Sequence, residues 1–220
     1  MKKIVFLSTL FLLGLSAYSE NTPCNLTDEG VLINGIRWAT RNVDMPGTFA
    51  ETPECSGMLF QWNRRKAWNA IDFKVEGWDS SIPEGTAWYA ENDPCPEGWR
   101  VPKIRELMSL TAFRDTSPNR TVRTWTTQNG VDGFLFGTEP NQIFLPVVTT
   151  WFRTRDGTLR ESTIGWYWSS TRYNREEAAQ IGICRLGITQ GGGSRNSGRP
   201  VRCVSKETMP LEDRMIIIAE

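Results

Sequence analysis

Histidine is missing from all 220 positions of the chain. That absence removes Ser-His and Cys-His nucleophile pairs, any imidazole acid or base acting near neutrality, and His-ligated zinc or iron. Long apolar runs are scarce as well. The stretch from Ile4 to Leu15 falls short of the about 20 residues a membrane-spanning helix requires, and no second candidate follows. Cysteine is sparse and scattered, at Cys24, Cys55, Cys95, Cys184 and Cys203, with no C-x-x-C pair. A zinc ribbon or thioredoxin-type redox site therefore has no support. Net charge is also lacking: 25 Lys and Arg stand against 25 Asp and Glu. Without a basic field to neutralise phosphates, nucleic acid is not an expected partner.

What is present points first to a compartment. Lys2 and Lys3 precede the apolar run, and Ser16-Ala17-Tyr18-Ser19 follows it. A basic start, a short apolar stretch and small residues describe a secretory signal peptide, residues 1–19, cleaved near Ser19. The protein is thus expected to be exported, to the periplasm, the cell surface or the medium. Asn21-Thr22-Pro23 before Cys24 lacks the small, apolar pattern of a lipid-anchored start. An oxidising compartment permits disulfides, but five cysteines leave at least one unpaired within the chain, and spacing alone does not fix the pairing.

Ten Trp, ten Phe and 39% hydrophobic residues suffice for one folded domain. Charge is distributed unevenly within it. From Glu20 to Trp99 thirteen acids face six bases, whereas Thr150 to Cys203 holds nine Arg, no Lys and four acids. Guanidinium forks suit carboxylates, phosphates and aromatic faces, so the second region fits an anionic partner. The plainer alternative is nine solvated side chains pointing in different directions.

Along the chain, Gly30 to Asn42 predicts two short strands around the hairpin-turn pair Asn34-Gly35. Gly57 to Asn69 predicts a short helix or compact aromatic segment, and Glu76 to Pro96 a long ordered loop. Pro102 to Phe113 is the clearest helix, with Ile104, Leu107, Met108 and Thr111 at i, i+3, i+4 and i+7. Short strands follow at Gly133–Phe136, Gln142–Val148, Gly165–Ser170, Ala178–Ile183 and Pro200–Val204. Turns are expected at Asp156-Gly157 and Gly191-Gly192-Gly193. Helices early and strands late indicate an α+β fold.

Four stretches carry a family resemblance. They are Asn34 to Asp44 (NGIRWATRNVD), Gly57 to Arg64 (GMLFQWNR), Asn92 to Pro102 (NDPCPEGWRVP) and Gly165 to Thr171 (GWYWSST), with a closing Val201-Arg202-Cys203-Val204. Together they resemble the Fibrobacter succinogenes major paralogous domain, common in exported proteins of Bacteroidetes. The resemblance implies a C-type-lectin-like fold, with two helices, a small antiparallel sheet and paired terminal strands. It also implies a disulfide between Cys95 and Cys203. The layout becomes a signal peptide at 1–19, an N-terminal segment at 20–29, the domain at 30–204 and a tail at 205–220. Lys103 departs from the family pattern, which favours a Thr helix cap there.

Glu139-Pro140-Asn141 matches a lectin calcium tripeptide but lacks the further carboxylates calcium wants, so it is expected to be a turn. Cys184 and Cys203 lie too far apart for the cysteine pair of formylglycine-generating oxidases, which share the lectin-type fold. Gly191-Gly192-Gly193 lacks the Gly-Lys-Ser/Thr of a phosphate loop. Glu176-Glu177 offers carboxylates for glycoside hydrolysis, and the tail, with its apolar Met215 to Ala219, offers a contact for a structural subunit of a surface assembly. Neither outweighs a binding role.

The expected ligand face is built from Trp166, Arg172, Tyr173, Asn174, Arg175, Gln180, Arg185, Arg195, Asn196 and Arg199. Aromatics, Arg and Asn supply rigid area, bidentate donors and adaptable amides. Some members of the resembled fold class are variable proteins of diversity-generating retroelements, whose C-terminal segment is the binding face. Trp168 and Arg202 are assigned to the core. The sequence therefore predicts a non-catalytic module for a protein or glycan ligand, with no cofactor and no metal.

Overall fold

Asn34 and Gly35 both adopt positive φ, 52° and 72°. They close a two-residue hairpin between β1 (Val31–Ile33) and β2 (Ile36–Asn42). This computed structural model describes residues 27–111, 121–147 and 152–207. The leader 1–19, Cys24 and the tail from 208 onward lie outside those residues. After β2 come β3 (Leu59–Gln61), β4 (Ala67–Trp68), a 3-10 turn at Ala90–Asn92, β5 (Trp99–Arg100) and α1 (Ile104–Thr111). A meander of β6 (Arg123–Gln128), β7 (Val131–Thr138) and β8 (Asn141–Pro146) follows, then β9 (Phe152–Arg153) and β10 (Leu159–Arg160). The chain continues through β11 (Gly165–Arg172), β12 (Glu177–Cys184), β13 (Gly187–Ser194), β14 (Gly198–Arg199) and β15 (Arg202–Ser205).

The expected α+β, C-type-lectin-like plan of two helices and a small sheet does not hold. The described residues contain one α-helix and four antiparallel sheets, ordered β1-β2-β15-β5, β10-β9-β14-β3-β4, β11-β12-β13 and β6-β7-β8. The second expected helix is the first error. Leu59, Phe60, Gln61 and Trp62 are all buried, so the segment at β3 is covered on both sides and extended. Such a strand shows no polar/apolar alternation to betray it. Gly191-Gly192-Gly193 is the other error, since it lies inside β13 and not in a turn. A Cβ at Gly192 would come within 2.7 Å of both the Tyr173 ring and the Glu177 carboxylate, and one at Gly193 within 2.5 Å of Gln180. The bare backbone is what lets those side chains lie across the strand.

The domain's ends meet where β15 pairs antiparallel with β2 and β5, and the Cys95–Cys203 disulfide lies there. Tyr167 and Trp168, neighbours on β11, feed two different cores, as alternation across a strand requires. Tyr167 packs with Leu107, Leu110, Phe136 and Ile183. Trp168 packs with Phe60, Trp62, Val101 and Cys203, and its Nε1 donates to Phe60 O at 2.8 Å. Trp168 and Arg202 are fully buried, as expected of framework residues.

At the start of α1, the missing Thr cap is made good by neighbours. The Lys103 N–H donates to Glu106 Oε2 at 2.7 Å, and the Ile104 N–H donates to Thr171 Oγ1 at 3.0 Å. Arg100 holds Glu106 with two bonds of 2.6 and 2.8 Å. Burial opposes ionisation of Glu106, but the Arg100 and Lys103 contacts win and hold its carboxyl below the usual range.

A polar cleft at the end of the β11–β12 hairpin

Asn174 shapes the turn that joins β11 to β12. Its Oδ1 accepts from the Glu176 and Glu177 N–H groups at 2.9 and 2.8 Å, and its Nδ2 donates to Glu177 Oε2 at 2.7 Å. The Tyr173 and Asn174 N–H groups donate to Glu177 O, and Arg172 Nε donates to Asn174 O. A turn bonded this densely presents its outward side chains in a fixed arrangement. Arg172, Tyr173 and Arg175 are exposed there, Tyr173 at 57%.

The facing wall comes from the long loop before β5. Trp88 N–H donates to Ser170 O, and Ala87 bridges to Thr171, docking this segment on the end of β11. Arg195 fixes its other part, with Nη1 donating to Pro83 O and Nη2 to Gly85 O, both at 2.8 Å. The Arg195 guanidinium stacks 4.2 Å from the centre of the Trp62 ring. Between the walls lies a cleft of about 590 Å³, lined by Ile82 to Thr86, Tyr89, Arg172, Arg175, Glu176 and Arg195.

Positive charge outnumbers negative in the cleft, with Arg172, Arg175 and Arg195 against Glu84 and Glu176. Arg195 is only 3% exposed, and its Nε is sealed without a partner. Burial, and then repulsion from Arg172, hold its pKa below the ordinary arginine value. Among the described residues, the ion pairs Arg41–Asp28, Arg64–Asp79 and Arg100–Glu106 all lie elsewhere.

The expected ligand face thus divides. Arg172, Arg175 and Arg195 line the cleft, with Tyr173 and Asn174 on the same hairpin end. The other five belong elsewhere. Gln180 is buried, with Nε2 donating to Gly192 O, and Asn196 is buried, with Nδ2 donating to Ser80 O at 2.6 Å. Both hold backbone segments together. Arg185 is exposed, but at the far end of β12 from the cleft, about 26 Å along an extended chain. Trp166 is half-buried over Gly182 and stacks against Arg199. Glu84 and Tyr89 were not foreseen. Their signal was the aromatic density of the Glu76–Pro96 loop, which carried no hint of what the loop faces.

Arg199 is the most unusual of the displaced residues. It is 7% exposed, sits 5.0–5.5 Å from the rings of Phe152, Trp166 and Trp168, and has Nε and Nη1 sealed without partners. Burial alone pushes its pKa down to about 9. Cation–π contacts of up to about 2 kcal/mol each offset part of the desolvation cost. Arg199→Met keeps the volume and removes the charge, so its melting temperature is expected to match or exceed the parent's. A clear fall in thermal denaturation would show that ring stacking outweighs the desolvation.

Among the described residues no group of three His, Cys, Asp or Glu is placed to hold a metal, and no helix is long and apolar enough to cross a membrane. No protein-family model, curated protein or solved structure matches the chain.

Proposed function

We propose that the protein is an exported, non-catalytic binding module that recognises a protein or glycan through the cleft between Arg172 and Tyr89. The observation that carries this reading is the convergence of Arg172, Arg175 and Arg195 with an exposed tyrosine on one fixed concavity. Export is supported by the leader-like residues 1–19, and a disulfide accords with an oxidising compartment. Arg172 and Arg175 carry no structural burden beyond one local bond, so their removal separates binding from folding.

The mature protein and its Arg172→Ala/Arg175→Ala variant, applied to a glycan array and to a panel of surface-protein extracts, provide the test. The variant is expected to lose the parent's pattern while melting within about 2 °C of it, as exposed substitutions do. An unchanged pattern would sink the proposal.

A second reading has one observation in its favour: Glu84 lines the same cleft as Glu176, and two carboxylates flanking a sugar can hydrolyse it. Glu177, the other acid considered, is engaged by Asn174. Cleavage of a bound glycan, lost in Glu176→Gln, would favour the hydrolase.

A further inference from the structure

The cleft holds two kinds of unsatisfied group. Among the described residues Arg175 meets no hydrogen-bond or ion-pair partner and Arg172 spends only its Nε, so both exposed guanidiniums keep donors free. Exposed guanidinium donors such as these can pair with a bound acceptor. On the same walls, the side chains of Glu84 and Glu176 meet no partner among the described residues either, and as carboxylates they accept only. A ligand matching this cleft must therefore offer negative charge and several hydrogen-bond donors at once. Tyr89, 41% exposed, adds a flat ring beside them.

These demands discriminate among anions. A polyphosphate or densely sulfated chain offers charge but few donors, and the two glutamates repel it. An acidic peptide offers carboxylates, but it relies on apolar pockets for anchoring, and this cleft has a largely polar wall. A uronic acid carries one carboxylate, a set of hydroxyl donors and an apolar ring face that stacks on an aromatic side chain. We infer that the cleft binds a uronic-acid oligosaccharide, its carboxylate between Arg172 and Arg175, its hydroxyls donating to Glu84 and Glu176, and a sugar ring over Tyr89. This inference rests on the cleft being a binding site, as proposed above.

Calorimetric titration with tetrasaccharides of pectate, alginate and hyaluronate tests it on the full mature protein. At least one is expected to bind. Its methyl ester, which keeps the ring and removes the charge, should bind at least about tenfold more weakly, as should the acid form to Arg172→Ala or Arg175→Ala. Tyr89→Ala is expected to weaken binding several-fold, and added salt to weaken it progressively. Equal binding of the ester, binding of none of the three, or tighter binding of tetraglutamate or a dextran sulfate oligosaccharide, which carries sulfates but no uronate, would overturn the uronic-acid assignment. If such a competitor or the ester still depends on Arg172 and Arg175, the cleft remains the binding site and only the ligand class fails. Binding indifferent to Arg172, Arg175 and Tyr89 would overturn both.

Discussion

Replacing Cys95 and Cys203 together by alanine is expected to lower the free energy of unfolding by about 4–5 kcal/mol. The two cysteines are 108 residues apart in sequence, so the bridge closes about half the chain into one loop. In the chain-entropy treatment the stabilisation grows with the logarithm of that length, because a longer loop removes more freedom from the unfolded ensemble. Domains of this kind rest on roughly 5–15 kcal/mol in total, so the loss would remove from about a quarter of the margin to all of it. A fall in melting temperature of roughly 10–20 °C corresponds to this loss. Both positions are buried in the core of Trp62, Trp168 and Val201, and the double substitution leaves no stray thiol there. Urea unfolding followed by tryptophan fluorescence, on parent and variant, measures the effect. A loss below about 1 kcal/mol would mean that the pairing of β15 with β2 and β5 already holds the ends without help from the bridge.

That bridge shows how unevenly the sequence speaks. Spacing could not choose among five cysteines; only the Cys95 and Cys203 motif runs, through a resemblance, singled out the pair. The Asn34-Gly35 hairpin was legible because two successive positive-φ residues leave few other structures. Helix α1 was legible because Pro102 and a 3.6-residue stripe agree. β3 was not, since burial on both sides erases the period that reveals a strand. β13 was not, since glycine is read as a breaker unless the side chains crossing it are known.

The cleft repeats the lesson for charge. Composition located the arginine-rich third but gave no means of sorting its members by exposure. Arg195 is buried because carbonyls of Pro83 and Gly85, more than a hundred residues earlier, accept from it. Arg175 is exposed, with no acceptor reaching it among the described residues. The same side chain serves as strut or as sensor according to partners that only the fold supplies.

Arg202 is the strongest of these struts, and Arg202→Ala is expected to cost about 3–5 kcal/mol. The residue has no exposure, and each nitrogen has its own acceptor: Nε gives to Asn42 Oδ1 at 2.8 Å, Nη1 to Ala39 O at 3.1 Å and Nη2 to Phe144 O at 3.0 Å. It thereby joins β15 to β2 and to β8, tying the terminal sheet to the β6–β8 meander. Burial lowers its pKa to about 10, with Tyr167 and Asp28 opposing the drop. Truncation orphans three buried acceptors, each worth about 1–3 kcal/mol, and opens a void beside them. Relief of the buried charge returns part of that sum, so the net falls below the full total. Arg202→Met separates the contributions, since it refills the space without restoring any bond, and Arg202→Lys supplies a charge without the planar fork that meets three acceptors at once. Both are expected to remain well below the parent in urea unfolding, in contrast to the tolerance expected at Arg199, whose sealed nitrogens meet no acceptor. If Arg202→Met proved as stable as the parent, volume alone would explain the site, and the hydrogen bonds linking the sheets would be incidental to their assembly.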